Sequence, residues 1–201
     1  MTPLDPVVLA GRYVRLEPLT ADHADALWAV ARDPELWRWT LAPVRSRADF
    51  DLYIRTALDA QAAGTALPFV IVAGSEVAGS TRFANLDVAN RRVEIGWTFV
   101  GGPWQRTAVN TEAKGLLLRH AFETLGARRV EFKTDARNAT SRAALARLGA
   151  TEEGTLRQHM VRADGTSRDT VYFSVVAGEW PDVQARLAER LGRAGAVRPA
   201  P

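Results

Sequence analysis

Along the chain the spacing of apolar residues switches repeatedly between the two-residue period of a strand and the three-to-four-residue period of a helix. Residues 12–18, RYVRLEP, alternate and predict a first strand. Thr20 then stands as an N-cap, and Ala24, Leu27, Trp28 and Ala31 recur at helical spacing up to the break at Asp33-Pro34. A second helix is predicted over 46–63. S-R-A-D opens it like a capping box with Asp49 at the third position, its stripe includes Phe50, Tyr53, Ile54 and Leu58, and Gly64 stops it. Three strand-like runs follow, 67–73, 77–84 and 92–100, divided by GSE and a polar NLDVAN segment, which suits an antiparallel meander. Helical spacing returns over 111–125, where Leu117, Leu118, Ala121, Phe122 and Leu125 form a broad apolar face that ends at Gly126. A strand over 129–134 and a short helix over 138–148, closed by Gly149, come next. Two strands then flank the hairpin signal Ala163-Asp164-Gly165-Thr166, and a last helix is predicted over 179–191.

This order, without an internal repeat in 201 residues, predicts a single α+β domain over 1–192 and a frayed Ala/Gly/Pro tail over 193–201. The hydrophobic fraction of 47% and charged fraction of 24% fit a soluble globular chain, and no apolar run reaches the length of a membrane span. The start, MTPLDPVVLAGRYVRLEPL, lacks the basic and apolar segments of a secretory signal, so a cytoplasmic address is expected. Cysteine is absent, which removes disulfides, thiolate nucleophiles and thiolate metal sites together. His23, His120 and His159 are scattered with no H-x-x-x-H pair, so no metal site is expected. The net charge of +3 comes mostly from arginines spread along the chain, which reads as a solvated surface and not as a nucleic-acid footprint.

Residues 103–114, PWQRTAVNTEAK, join a strand to a helix as phosphate-binding turns do, yet contain no glycine. A helix start has unpaired N–H groups and partial positive charge, which stabilise an anion there. Asn110 is a reasonable N-cap, Arg106 to Val109 can curl into a nest, and Ala108 is expected at negative φ. The alternative is an ordinary loop turned by Gly101-Gly102-Pro103 that only caps a helix.

The element order from about Tyr13 to Val176, with VEIGWTFVGGPWQRTAVNTEAKGLLLRHAFETLGARRVEFKTDARNATSRAALARLGATEEG, resembles the GCN5-related N-acetyltransferases (GNAT), and within them the RimJ/RimL type. The resemblance implies an α+β fold: a mixed, mostly antiparallel sheet of six to seven strands with helices on both faces. It also implies acetyl-CoA as co-substrate. In the family a loop of form Q/R-x-x-G-x-G/A binds the diphosphate. Here Gln105, Ala108 and Asn110 hold its defining positions, so the first matches and both glycines are replaced. By resemblance, the main chain of Gln105, Arg106, Thr107, Ala108, Val109, Asn110 and Thr111 would grip the diphosphate. The pantetheine arm would pair with the backbone of Trp97, Thr98 and Phe99. Asn138 would contact the same arm and Ser141 would sit near its sulfur, although an N-cap and a first-turn serine fit these two residues equally well.

Glu94 lies eleven residues before Gln105, the spacing of the general base in histone-type members, and alternation groups it with Gly96 and Thr98 on one strand face. The alternative is a strand glutamate paired with Arg82 or Arg92. The implied reaction is direct attack of a primary amine on the thioester in a ternary complex. Glu94 would take the amine proton and Ser141 would serve the departing thiolate. Trp28, Trp37, Trp39, Tyr53 and Phe83 are candidates for the acceptor pocket, and Arg157, His159, Arg168 and Asp169 for receiving a charged acceptor. The acceptor is expected to be a protein N-terminus or a small-molecule amine, with no nucleic-acid or membrane partner, and the protein to be a monomer or homodimer. Acetylation of aminoacyl nucleotides or antibiotics, and a non-catalytic coenzyme-binding sensor, stay open beside this reading.

Overall fold

The structure is a computed structural model that describes residues 4–193. The tail expected to fray falls outside them except for Arg193, which closes the last helix. In chain order the elements are β1 (Leu9–Ala10), β2 (Arg15–Pro18), α1 (Ala24–Ala31), α2 (Arg47–Ala62), β3 (Leu67–Ala73), β4 (Glu76–Asp87), β5 (Arg92–Val100), α3 (Ala108–Arg119), β6 (Arg129–Asp135), α4 (Ala139–Leu148), β7 (Thr151–Val161), β8 (Ser167–Val176) and α5 (Trp180–Arg193). All eight strands form one sheet in the order β1-β2-β3-β4-β5-β6-β8-β7. Its eighth strand, β1, is a two-residue pairing with Leu16 and Arg15, too short to leave an alternation in the sequence.

The sheet is antiparallel except between β5 and β6, which α3 connects as a crossover. That parallel pairing covers only Arg92↔Arg129, Val93↔Val130 and Glu94↔Glu131. Beyond it β5 continues along β4 as far as Val100, and β6 along β8 as far as Asp135, so the two strands part. The β4–β5 register also slips between Ser80 and Arg82, where Trp97 takes φ 48°. This bulge reverses the alternation expected for the strand. Val93 and Ile95 pack on the α3 side, yet Phe99 enters the core on the opposite face, while the Thr98 hydroxyl turns toward α3. Gly79 faces this slip. A side chain there would run into the Phe99 carbonyl, so the close approach of the two backbones requires glycine.

The larger core lies between the sheet and α3, α4 and α5. The smaller one, with Leu27, Phe50, Ile54, Val70, Val72 and Phe99, lies under α1 and α2, which cover the β3 and β4 part of the other face. Toward β6 and β8 that second face is polar. Since Val130, Phe132, Val171 and Phe173 point into the larger core, Glu131, Lys133, Thr170 and Tyr172 must point away from it. The helix after β5 begins at Ala108, three residues before the expected start, because Thr107 and not Asn110 is its N-cap. It runs into a π-helical turn over His120–Thr124 before Gly126, at φ 69°, ends it.

Candidate active site

Thr107 organises the turn before α3. Its hydroxyl donates to the Trp104 carbonyl (2.7 Å) and accepts from the Val109 amide (3.2 Å). The Gln105 side chain donates to the Val100 carbonyl (2.9 Å), tying the turn to the end of β5. The left-handed residue is Arg106, at φ 60°, while Ala108 opens the helix at negative φ. Gln105 and Thr107 on either side of Arg106 are extended, so the chain turns there into the start of α3, where the first helical amides lack intrahelical partners and the helix end favours an anion. Asn110 and Thr111 belong to the first turn of the helix, and the Asn110 Oδ1 is buried without a hydrogen-bond partner among the described residues.

From this turn the gap between β5 and β6 runs down to Glu94. The main-chain edge of β5 beyond Glu94 has no strand beside it on the β6 side. At the bulge Trp97 is exposed and accepts the Tyr53 hydroxyl on its carbonyl (3.2 Å). On the α3 side of the gap stands Lys114, buried, with Nζ donating to Thr98 Oγ1 (2.7 Å) and lying 5.8 Å from the Phe132 ring centre. Burial lowers its pKa to about 7. Sequence reasoning passed over Lys114, although it sits at helical spacing with Leu117, Leu118 and Ala121 on the apolar face.

Glu94 lies on the other face, 5% exposed. Its Oε2 accepts from Lys133 Nζ and from Asn85 Nδ2, both at 2.7 Å, so its partners are not the arginines weighed from sequence. Burial works against the Lys133 charge, but Glu94 outweighs it and the Lys133 pKa is raised. Glu94 Oε1 makes no hydrogen bond among the described residues and lies beside Gly96, where a Cβ would come within 3.2 Å of it. Arg92 pairs with Asp87 and Glu131 instead. Arg82 has no carboxylate partner among the described residues, and its guanidinium is held between the Tyr53 and Trp97 rings, 5.0 Å from each.

Asn138 caps α4, accepting the Ser141 amide on Oδ1 (3.0 Å). The Ser141 hydroxyl is half-buried in the first turn. Because α4 packs on the larger core, Ser141 and Glu94 belong to opposite faces of the sheet, with the β5–β6 gap between them. The aromatic candidates divide. Phe83 is fully buried against Phe69 and His120, and Trp37 is 4% exposed with its Nε1 bonded to the Ala31 carbonyl. Both are packed as core residues, which the alternation of β4 and the packing of α1 bring about. Trp39 is half-buried between the guanidinium groups of Arg38 and Arg137. The linker that carries it is fastened to the hairpin tip by the Ala163 amide on the Leu41 carbonyl (3.0 Å). The segment with Trp39 and the hairpin thus meet beside the polar face that carries Glu94, Lys133 and Tyr172. His159 meets the Tyr172 ring edge-on at 5.7 Å, whereas Arg157 is exposed in a shallow hollow over 155–158.

A family model described as an acetyltransferase (GNAT) domain matches residues 14–151. The chain belongs to the GNAT family. A GCN5-related N-acetyltransferase from Brucella melitensis matches with a TM-score of 0.86 at 34% identity, covering 94% of this chain and 88% of that one. RimJ of Mycobacterium smegmatis, solved in complex with CoA-disulfide, matches with a TM-score of 0.82 at 26% identity over 98% of this chain and 100% of RimJ. YdaF of Bacillus subtilis (strain 168), which carries a provisional ribosomal N-acetyltransferase name, is 34% identical over 102 residues, 51% of this chain. This chain spans about half the length of YdaF, 55% of it. The GNAT match places the α3 turn and the parted strands inside a shared domain. The residues here fit a coenzyme of that kind: the start of α3 presents amides without intrahelical partners for a diphosphate, and the β5 edge beyond Glu94 offers hydrogen bonds to an amide chain.

Proposed function

We propose that this GNAT protein transfers the acetyl group of acetyl-CoA to a primary amine by direct attack in a ternary complex. The observation that carries the reading is the parting of β5 from β6 immediately after Glu94, beneath the α3 turn. When bound, acetyl-CoA supplies the activated thioester. The turn from Gln105 to Thr111 holds its diphosphate through amides other than those of Gln105 and Val109, which donate to the Gly102 carbonyl and Thr107 Oγ1, and the edge at Trp97, Thr98 and Phe99 aligns its arm. Asn138 orders the first turn of α4 so that the Ser141 hydroxyl meets the leaving sulfur from the α3 side. Glu94 works from the other face. An α-amine, with a reference pKa of about 8, must lose a proton before it can attack, and a lysine, at about 10.4, asks more of the base. Lys133 and Asn85 fix Glu94 Oε2, leaving Oε1 as the atom that takes this proton, directly or through one water. Trp39 and the hairpin flank the side from which the amine arrives.

Two measurements test the reading. Acetyl-CoA is expected to raise the melting temperature, since a ligand bound only by the folded state stabilises it. No shift at a saturating concentration removes the coenzyme assignment. Coenzyme A release is then followed over N-terminal peptides, amino acids, aminoacyl nucleotides and aminoglycosides. Against the best acceptor, Glu94→Gln and Ser141→Ala are each expected to lower kcat by roughly 10²-fold or more. If both stay within about threefold of the parent, less than about 1 kcal/mol of barrier, these roles belong to other residues.

A further inference from the structure

The hairpin end of this polar face holds three buried polar atoms with no hydrogen-bond partner among the described residues: Arg168 Nε, Thr170 Oγ1 and His159 Nδ1. Arg168, Thr170 and Tyr172 succeed one another at alternate positions of β8, so all three look onto the face that carries Lys133 and Glu94. His159 reaches the same place from β7, against the Tyr172 ring. Neighbouring cations there have their carboxylates: Lys133 has Glu94, and Arg162 has Asp135. Arg168 makes no ion pair among the described residues: Asp169 alternates onto the other side of β8 and accepts the Gln158 amide (2.7 Å), and Glu94 acts on Arg168 only at longer range. Desolvation and then the charge of Arg162 push the Arg168 pKa below its ordinary value, and Glu94 and Tyr172 only partly oppose them. A desolvated guanidinium with a hydroxyl and an imidazole beside it, and no acceptor for any of them, is an arrangement completed by an anion.

We propose that this recess is an anion pocket, through which the protein selects acceptor amines that carry a carboxylate or phosphate of their own. The inference rests on the acetyltransferase reading and narrows it. The amine points along this face to Glu94, and the anion is received at Arg168, with Thr170 and His159 donating beside it. A neutral amine finds the same donors and leaves them unpaired, which is the condition under which a polar site discriminates most strongly.

Three matched pairs of acceptors test this: an α-amino acid and its amide, C-terminally amidated tetrapeptides with Asp or Asn second, and 2-aminoethyl phosphate with ethanolamine. For each pair the ratio of kcat/KM, acid over neutral, is measured at saturating acetyl-CoA in the parent, Arg168→Gln and Thr170→Val. At least one pair is expected to favour its acid by about tenfold, or about 1.4 kcal/mol. That ratio falls to within about twofold of unity in Arg168→Gln and by a smaller factor in Thr170→Val, and the pair that shows it identifies the source of the anion. In parallel, without acetyl-CoA, the acidic probes raise the parent's melting temperature and do not raise that of Arg168→Gln. An acetyl-CoA melting shift equal to the parent's shows that the variant is folded. If the parent prefers no acid and none of the probes shifts its melting temperature, or if Arg168→Gln lowers acid and neutral acceptors equally, the pocket does not exist. Failure of the acetyltransferase reading is recognised separately, by the absence of any acetyl-CoA shift and of coenzyme release with every amine.

Discussion

Lys114 is the residue where burial and charge oppose each other most directly. Its ammonium would lie on an apolar helix face with only hydroxyl oxygens near it, and burial brings its pKa from the ordinary 10.5 down to about 7. The unfolded chain therefore binds a proton that the folded chain lacks between about pH 7 and the ordinary lysine value, and stability rises with pH across that window. Below it both states are charged and the full penalty is present. Lys114→Met removes the group with little change in volume. The variant is expected to melt above the parent at pH 6, with the difference shrinking as pH is raised from 7 toward 10. A difference that does not change between pH 6 and 10 shows that the lysine is solvated. The position illustrates how a site residue hides in a sequence: one polar residue in an apolar stripe reads as a tolerated exception until the strand opposite it is known.

At the scale of single elements, α3 decides where an anion can sit, and its start depends on one side chain. With Thr107 as N-cap the first helical amides begin at Ala108, directly after the left-handed Arg106. Asn110, which looked like the cap, is inside the first turn. Replacing the cap by alanine removes a hydrogen bond to an N-terminal amide and typically costs about 1 kcal/mol. Thr107→Ala is expected to lower the melting temperature by roughly 2–4 °C and to reduce the further rise produced by acetyl-CoA, whereas Asn110→Ala should reduce that rise less. Equal rises in parent and Thr107→Ala would separate the cap from the anion site. In β5 the decisive feature is the bulge at Trp97, because it turns Thr98 to Lys114 and Phe99 to the smaller core against the period of the strand.

For the whole molecule, the N-terminal segment is fixed by a contact nearly one hundred residues away. The Glu112 carboxylate of α3 accepts the backbone amides of Arg12 (2.8 Å), Tyr13 (2.6 Å) and Val14 (2.7 Å). Gly11 passes so close that a side chain there would overlap the same carboxylate. One acidic group thereby joins the first strands of the sheet to the helix whose start is proposed to bind the diphosphate. Glu112→Gln weakens three charge-assisted bonds at a buried site and places an N–H₂ where an acceptor is needed, at a cost of about 2–3 kcal/mol. A fall in melting temperature of roughly 4–12 °C is expected, with amide hydrogen exchange accelerating first in β1 and β2. A fall of less than a degree would mean that these amides find other partners.

The alternating and helical periods of the chain determined most of the elements: β3 and β5 span the ranges expected, Ser46 caps α2, and Asn138 caps α4. These features are set by near neighbours, so they are written locally. The order of elements together with the motifs after β5 carries the resemblance to the family, and with it the α+β architecture with helices on both faces of the sheet. Tertiary structure alone decided the rest. The two-residue strand β1 exists only because β2 is beside it, and the bulge in β5 arises from a register slip against β4 that no period within β5 encodes. Phe83 and Trp37 have the composition of pocket residues, and their depth in the core depends on what packs over them. Glu94 was visible by spacing, but its partners Lys133 and Asn85 come from other strands, and the recess at Arg168, Thr170 and His159 is assembled across two. Charge balance is a property of groups brought together in space, so a chain read one residue at a time cannot disclose which cation will be left without its anion.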